Sequence, residues 1–286
     1  MLSAALPELE GTLERHRIEV GLADAIEHSE LTLHYQPEYD LDSGRVCGLE
    51  ALARWQRPDI GDVAPAVFIP LAEHTGLINS LGRWALSSAC QQAARWFQEG
   101  LPVPVIAVNV SSRQIHEEFS NQIAATLNAT GLPARCLELE INEALLAGNI
   151  DETARCLAQW KALGVRVALD DVGTGYCSLS YLVRLPIDRL KIDGSLIRHA
   201  HADAKDRIVI RSIIALAREL GVAVLAEGVE TCEQFNLLRD LGCQQMQGYL
   251  LQRPGSAEEA RQLLATNQMR PDLTTQQLRR LTGGVS

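Results

Sequence analysis

The sequence predicts an α/β fold, a modified TIM-type (β/α)8 barrel with one antiparallel strand. Three features carry the prediction. From about Val103 onward, short strand-like runs alternate with longer amphipathic stretches, the pattern of repeated β-α units in a largely parallel sheet. Upstream of them, two strand-like runs flank a turn-rich link, which adds a hairpin and with it one antiparallel strand. No Pro/Gly/Ser-rich linker divides the 286 residues, so the units belong to one domain.

In chain order, residues 1–25 carry little pattern and are expected to be an N-terminal tail or helix. Residues 26–264 hold the barrel. It opens with "LTLHYQPEYDLDSGRVCGLEALARW", where "DLDSGR" is the turn between the two runs. The runs "VPVIAVNVS", "CLELEI", "VRVALDDV", "RLKIDG" and "VAVLAEGV" follow as strands, short and rich in β-branched residues or Leu. Between them, "DETARCLAQWKALG" and "RIVIRSIIALARELG" read as helices, each ending in Gly where a C-cap falls. Residues 265–286 are expected to form a C-terminal tail, a short helix followed by a frayed end.

Composition narrows the function. The chain is 47% hydrophobic and 22% charged, which is ordinary globular composition. Its net charge of −10 argues against DNA, RNA or an anionic membrane as a partner. No signal-peptide pattern opens it, and no apolar run is long enough to span a bilayer. Seven scattered cysteines without a Cys-x-x-Cys pair fit reduced thiols in a cytoplasmic protein rather than a disulfide framework or a zinc site.

The polar residues at the strand ends are more informative. Glu50 closes "VCGLE", Asn109 follows "VIAV", and Glu140 lies in "LELEI". Asp170 and Asp171 close "VALDD", Lys191 sits in "RLKID", and Glu227 closes "VLAE". The C-terminal strand ends of a β/α barrel share one rim, where active sites are built. Strand-end polarity explains any one of these residues alone; the whole set on one rim needs a function. Adjacent carboxylates repel unless a proton or cation intervenes. Their oxygens suit Mg²⁺ or Mn²⁺ rather than zinc. An Asp-Asp pair that bridges two such ions is a device for phosphoryl-ester hydrolysis. The Gly-Thr-Gly after the pair lacks the third Gly of a dinucleotide loop and follows two acids, so it reads as a mobile loop. Cys177 in that loop reads as a packing residue.

The same segments resemble the EAL family of cyclic-di-GMP phosphodiesterases. The resemblance rests on "YQP" at Tyr35–Pro37, Glu50-Ala51-Leu52 within "GLEALARW", "FIPLAEHTGLI", "NVS", "LELEINE", "DDVGTGY", "LKID", "AEGVET" and "QGYLLQRP", in family order from about Leu31 to Pro254. It implies a metal-dependent phosphodiesterase that hydrolyses cyclic di-GMP to linear pGpG, with a two-metal Mg²⁺ or Mn²⁺ site and inhibition by Ca²⁺. By resemblance, Glu50, Asn109, Glu140 and Asp170 hold the first metal, and Asp170 and Asp171 the second, with Glu227 nearby through water. Lys191 orients or helps to activate the attacking water. Gln36, the Leu52 backbone, Arg54, Asp193, Glu230 and Gln247 face the substrate, Glu143 anchors the loop after Asp171, and the protein pairs as a homodimer.

The chain departs from the family at Val172, Cys177, Asn142 and Gln244, where Phe, Ser, Thr and Asp are usual. Val172 is expected to hold the loop less firmly than Phe and to raise the metal requirement. The alternative reading is a receptor that binds cyclic di-GMP with little or no turnover. A Mg²⁺-dependent barrel enzyme acting on another phosphorylated metabolite is a third.

Overall fold

The computed structural model describes residues 18–28, 30–143, 150–174 and 182–267. Cys177, residues 1–17 of the expected N-terminal segment and residues 268–286 of the expected C-terminal one lie outside them. A helix over 18–27, α1, comes first. Then follow β1 (Leu31–Asp40), β2 (Arg45–Arg57), β3 (Gly61–Val63), α2 (Pro65–Thr75), α3 (Ile78–Gln98), β4 (Val105–Val110), α4 (Glu117–Thr130) and β5 (Leu137–Asn142). The second half comprises α5 (Ile150–Ala162), β6 (Arg166–Val172), β7 (Arg189–Ile192), α6 (Gly194–Ala200), α7 (Ala204–Leu220), β8 (Ala223–Ala226), α8 (Cys232–Asp240), β9 (Gln245–Met246) and α9 (Ala257–Thr266).

The sheet runs β1-β9-β8-β7-β6-β5-β4-β2 and closes through β1–β2 pairing, with β3 added outside on β2. β1 is antiparallel to both of its neighbours, while the remaining barrel pairs are parallel. The barrel with one antiparallel strand is therefore as the sequence predicts. Its hairpin turn is held by Asp40, whose carboxylate accepts from the Ser43 amide at 2.8 Å. Two strands escaped the sequence reading, β3 and the two-residue β9, because neither is long enough to show alternation.

Alternation along the strands sorts the side chains. Leu137, Leu139 and Ile141 of β5, Val167 and Leu169 of β6, and Leu190 and Ile192 of β7 join the apolar core with the helices. Glu138 and Glu140, Asp170, and Arg189 and Lys191 take the opposite face, into the barrel. The helices bury Trp96 (α3), Phe119 and Ile123 (α4), Trp160 (α5) and Ile210 (α7) in that core. Tyr35 meets Trp96 edge-on at 5.0 Å, and Phe119 meets Trp160 at 5.8 Å. A second core joins α1 to the end of β2 and to α2 through Leu22, Trp55 and Phe68. Among the described residues, no helix is long and apolar enough to cross a membrane.

One glycine fixes the rim. A Cβ on Gly248 would lie 2.2 Å from both the backbone N and O of Val229. Those groups are already engaged: the Val229 amide donates to Gln247 O at 3.1 Å, and Val229 O accepts from Leu250 N at 2.9 Å. Gly248→Ala therefore forces two backbones apart. It is expected to lower stability by about 1–3 kcal/mol or more, read from the urea unfolding midpoint; an unchanged midpoint contradicts the close approach.

Candidate metal centre

Each rim residue arrives on its own strand: Glu50 on β2, Asn109 on β4, Glu140 on β5, Asp170 and Asp171 on β6, Lys191 on β7, and Glu227 just after β8. They converge on Lys191, which is fully buried. Its Nζ lies 2.7 Å from Glu140 Oε1, 2.7 Å from Glu227 Oε1, 3.7 Å from Glu50 Oε2 and 3.9 Å from Asp170 Oδ1. Glu50 is held on both oxygens. Asn109 Nδ2 donates to Oε1 at 2.8 Å and Gln247 Nε2 to Oε2 at 2.7 Å. With its NH₂ committed to Glu50, Asn109 keeps its carbonyl oxygen as its acceptor.

Asp170 and Asp171 would point to opposite faces of a regular strand. Here the β6–β7 register shifts between Leu169 and Val172, and Asp171 takes a left-handed backbone with φ 57°. That conformation is uncommon outside Gly, Asn and Asp. It brings both carboxylates to one place: oxygens of Asp170, Asp171 and Glu227 lie within 4.8 Å of one another. The Asp171 amide donates to Asp170 Oδ1 at 2.8 Å. Asn142 Nδ2 donates to Asp171 Oδ2, so a residue that departs from the family pattern touches the second Asp. Glu143 is buried, and its Oε2 accepts from Gly173 N at 2.9 Å, two residues past Asp171. Val172 is buried in the core opposite Ile192.

The residues expected at the substrate are more dispersed. Leu52 and Arg54 line a cavity of about 390 Å³ that opens beside Glu50 and Asn109. Arg54 is tethered there by a 2.9 Å bond from NH1 to Ala53 O. Gln36 is buried and donates to Gln252 O at 3.2 Å. Asp193 caps α6, accepting from Ser195 N at 3.0 Å. The Glu230 side chain is exposed. Gln247, expected at the substrate, spends its amide on Glu50. The cavity wall also includes Glu73 and Gln114, which the sequence reading passed over. Ser111 Oγ donates to Glu73 Oε1 at 2.7 Å, and Ser111 and Gln114 form a capping box. The Ser-x-x-Gln spacing of such a box is legible in sequence.

Electrostatics set the chemistry. Burial pushes up the pKa of Glu140, Asp170 and Glu227, only partly offset by Lys191; Glu227 rises to about 8. Asp171 rises to about 6 through burial and the charges of Asp170 and Asp193. For Glu50, burial opposes ionisation, but Lys191, Gln247 and Asn109 outweigh it and hold the pKa below its ordinary value. Lys191 is likewise penalised by burial, yet the surrounding carboxylates raise its pKa well above the usual range. Four carboxylates thus surround one ammonium, and a fifth, Asp171, lies beside Asp170 and Glu227. Both Glu140 oxygens are buried, and Lys191 at 2.7 Å is the cation beside them. Under-compensated hard oxygen donors fit divalent cations of the Mg²⁺ class.

Comparison with known proteins agrees with this geometry. A family model described as the EAL domain matches residues 20–254. The chain is 42% identical over 246 residues to the bifunctional diguanylate cyclase/cyclic di-GMP phosphodiesterase MucR of Pseudomonas aeruginosa, covering 86% of this chain and 36% of MucR. It is 37% identical over 247 residues to the oxygen sensor protein DosP of Escherichia coli, covering 86% of this chain and 31% of DosP. The chain spans about a third of the length of these curated relatives. The PaMucR phosphodiesterase in complex with c-di-GMP superposes with a TM-score of 0.82 at 40% identity, over 85% of this chain and 99% of that one. The EAL enzyme Bd1971 bound to cAMP and cyclic di-GMP superposes with a TM-score of 0.84 at 30% identity, over 91% and 72%.

The raised carboxylates make a signed prediction. Glu227 at about 8 and Asp171 at about 6 lie above their ordinary 4.5 and 3.8, so the metal-free fold binds more protons than the unfolded chain across this window. Their contribution is fully present below the ordinary values and is lost as pH rises through about 6 and 8. A cation that replaces the protons reverses the trend. The gain in Tm from Mn²⁺ over chelator is expected to grow from pH 5.5 to pH 8.5, and to vanish in Asp170→Asn. An equal gain at both pH values contradicts the assignment.

Proposed function

Since the chain belongs to the EAL domain family, we propose that it is a metal-dependent phosphodiesterase that opens cyclic di-GMP to linear pGpG. The observation that carries this reading is the buried Lys191 ringed by carboxylates at the barrel rim, with Asp170 and Asp171 turned to one site. Glu50, Asn109, Glu140 and Asp170 would hold one Mg²⁺ or Mn²⁺, and Asp170 and Asp171 the other with Glu227 beside it. Bound there, the ions supply an acidified water and countercharge for the phosphate.

The chain's own residues do the rest. Lys191 stays protonated among its carboxylates, so it serves as a hydrogen-bond donor that orients the attacking water and not as a base. Water oxygen bonds to phosphorus as the bond to the ribose 3′-oxygen breaks; a proton from that water ends on the 3′-oxygen, so the linear product carries a 3′-hydroxyl and a 5′-phosphate. Arg54 has a forked guanidinium suited to a phosphate oxygen pair. The apolar cavity beside Glu50, walled by Leu52, Ile69 and Leu81, suits the flat face of a base. The Leu52 backbone, Gln36, Asp193, Glu230 and Gln247 complete the substrate contacts. The net charge of −10 disfavours nucleic acid as a further partner. A homodimer is the assembly that fits the family, and light scattering reads it.

Incubation of cyclic di-GMP with the protein and Mg²⁺ or Mn²⁺, with products separated by chromatography, is expected to give pGpG. Hydrolysis should stop in chelator and with Ca²⁺, whose longer and looser bonds place water and phosphate poorly. Lys191→Ala should lower kcat by about 10²-fold or more, with KM little changed. Arg54→Ala should chiefly raise KM. Tight binding of cyclic di-GMP by the metal-loaded protein without product would favour the receptor reading. Full hydrolysis in chelator would overturn the metal assignment.

A further inference from the structure

A second layer of charge lies beneath the rim. Glu138 stands two residues before Glu140 on β5, and Arg189 two before Lys191 on β7, so each shares its neighbour's inward face. From the antiparallel β1, Glu38 reaches the same depth. Glu38 and Glu138 are almost wholly buried, and Arg189 is 3% exposed. Arg189 NH1 donates to Glu38 Oε2 and lies 3.1 Å from Glu138 Oε1. The backbone makes room for this group: a Cβ on Gly48, opposite Glu38 on β2, would lie 1.9 Å from Glu38 Oε2.

The two layers meet at Glu140. Oxygens of Glu38, Glu138 and Glu140 all lie within 4.8 Å of one another, and Glu140 also holds Lys191 at 2.7 Å. Glu140 therefore faces an ammonium above and two carboxylates below. Arg189 is the cation that compensates the lower pair. Without it, Glu38 and Glu138 must take up protons or draw in another cation, because an uncompensated buried anion is costly. After Arg189, the cation that acts most strongly on Glu138 is Lys191, on a flexible stem and already bound to the carboxylate that both layers share.

We propose that Arg189 is a positioning residue for the rim. By satisfying Glu38 and Glu138, it leaves Lys191 free to remain at the strand ends, where it meets Glu227 and Glu50. Arg189 touches neither substrate nor reacting atoms; its effect passes through the place of the Lys191 ammonium. The proposal rests on the phosphodiesterase reading only for its kinetic arm, because the ammonium position is read without turnover.

The test compares four proteins: wild type, Arg189→Met, Arg189→Lys, and Arg189→Met combined with Glu38→Gln and Glu138→Gln. Arg189→Met should lower kcat at least tenfold with KM for cyclic di-GMP little changed. Its crystal structure should show Lys191 Nζ displaced toward Glu38 and Glu138. Arg189→Lys, which keeps the charge, should recover part of kcat. The triple variant, whose lower layer is neutral, should recover most of it and return the ammonium to the rim. Should Arg189→Met fail to fold, the triple variant decides: wild-type placement of Lys191 supports the role, and displacement overturns it. A folded Arg189→Met with an unmoved Lys191 and wild-type kcat also overturns it. If the wild type does not hydrolyse cyclic di-GMP, the phosphodiesterase reading fails, and the Lys191 positions in the crystal structures still decide this one.

Discussion

The barrel concentrates negative charge where water is scarce, and the design of its interior follows from balancing that charge. Lys191 is enclosed completely, among carboxylates from four strands or strand ends. A buried ion pair is stable only when its remaining oxygens and protons find partners. Asn109 and Gln247 supply them for Glu50. Glu140 has the Lys191 ammonium at 2.7 Å, yet burial still holds it toward its neutral form. Such a rim would be relieved by bound cations. The residues that would bind them are the ones that make the fold costly at high pH.

The apolar surround makes this arrangement tolerable. Most strand residues that face the helices are Leu, Ile and Val, closed by tryptophans from α3 and α5. They supply burial that does not depend on the interior. The period of two in a strand then leaves inward positions such as Glu140, Asp170 and Lys191 to the charged cluster. The exception is β6, where two consecutive carboxylates must serve one site. A register shift and a left-handed Asp171 solve that problem locally, and the Glu143 contact to Gly173 fixes the chain just beyond it. Strain of this kind persists where surrounding structure over-determines it, which is common at functional sites.

Much of this was legible in the sequence. The run "LELEI" shows period two directly, as does "RLKI", and their polar members mark the inward face. The hairpin announced itself through "DLDSGR", and the rim through acids that close successive apolar runs. Other features were not legible. β9 is two residues long and carries no period. The hand of Asp171 depends on the register between β6 and β7, which no local pattern encodes. The Gln247 amide reaches Glu50 across 197 positions, a pairing that no local pattern announces. The link from Asn142 to Asp171 required two strands to be in register. Pairings set by long-range closure of the barrel are the part that composition and periodicity leave open.

The central claim is that the rim carries uncompensated negative charge shaped for two divalent ions sharing Asp170. Anomalous scattering from crystals grown with Mn²⁺ tests it most directly. The account predicts two peaks, one within reach of Glu50, Asn109, Glu140 and Asp170 and one within reach of Asp170 and Asp171, with the Lys191 ammonium still at the rim. A single peak, no peak, or an ion seated below among Glu38, Glu138 and Glu140 would contradict it.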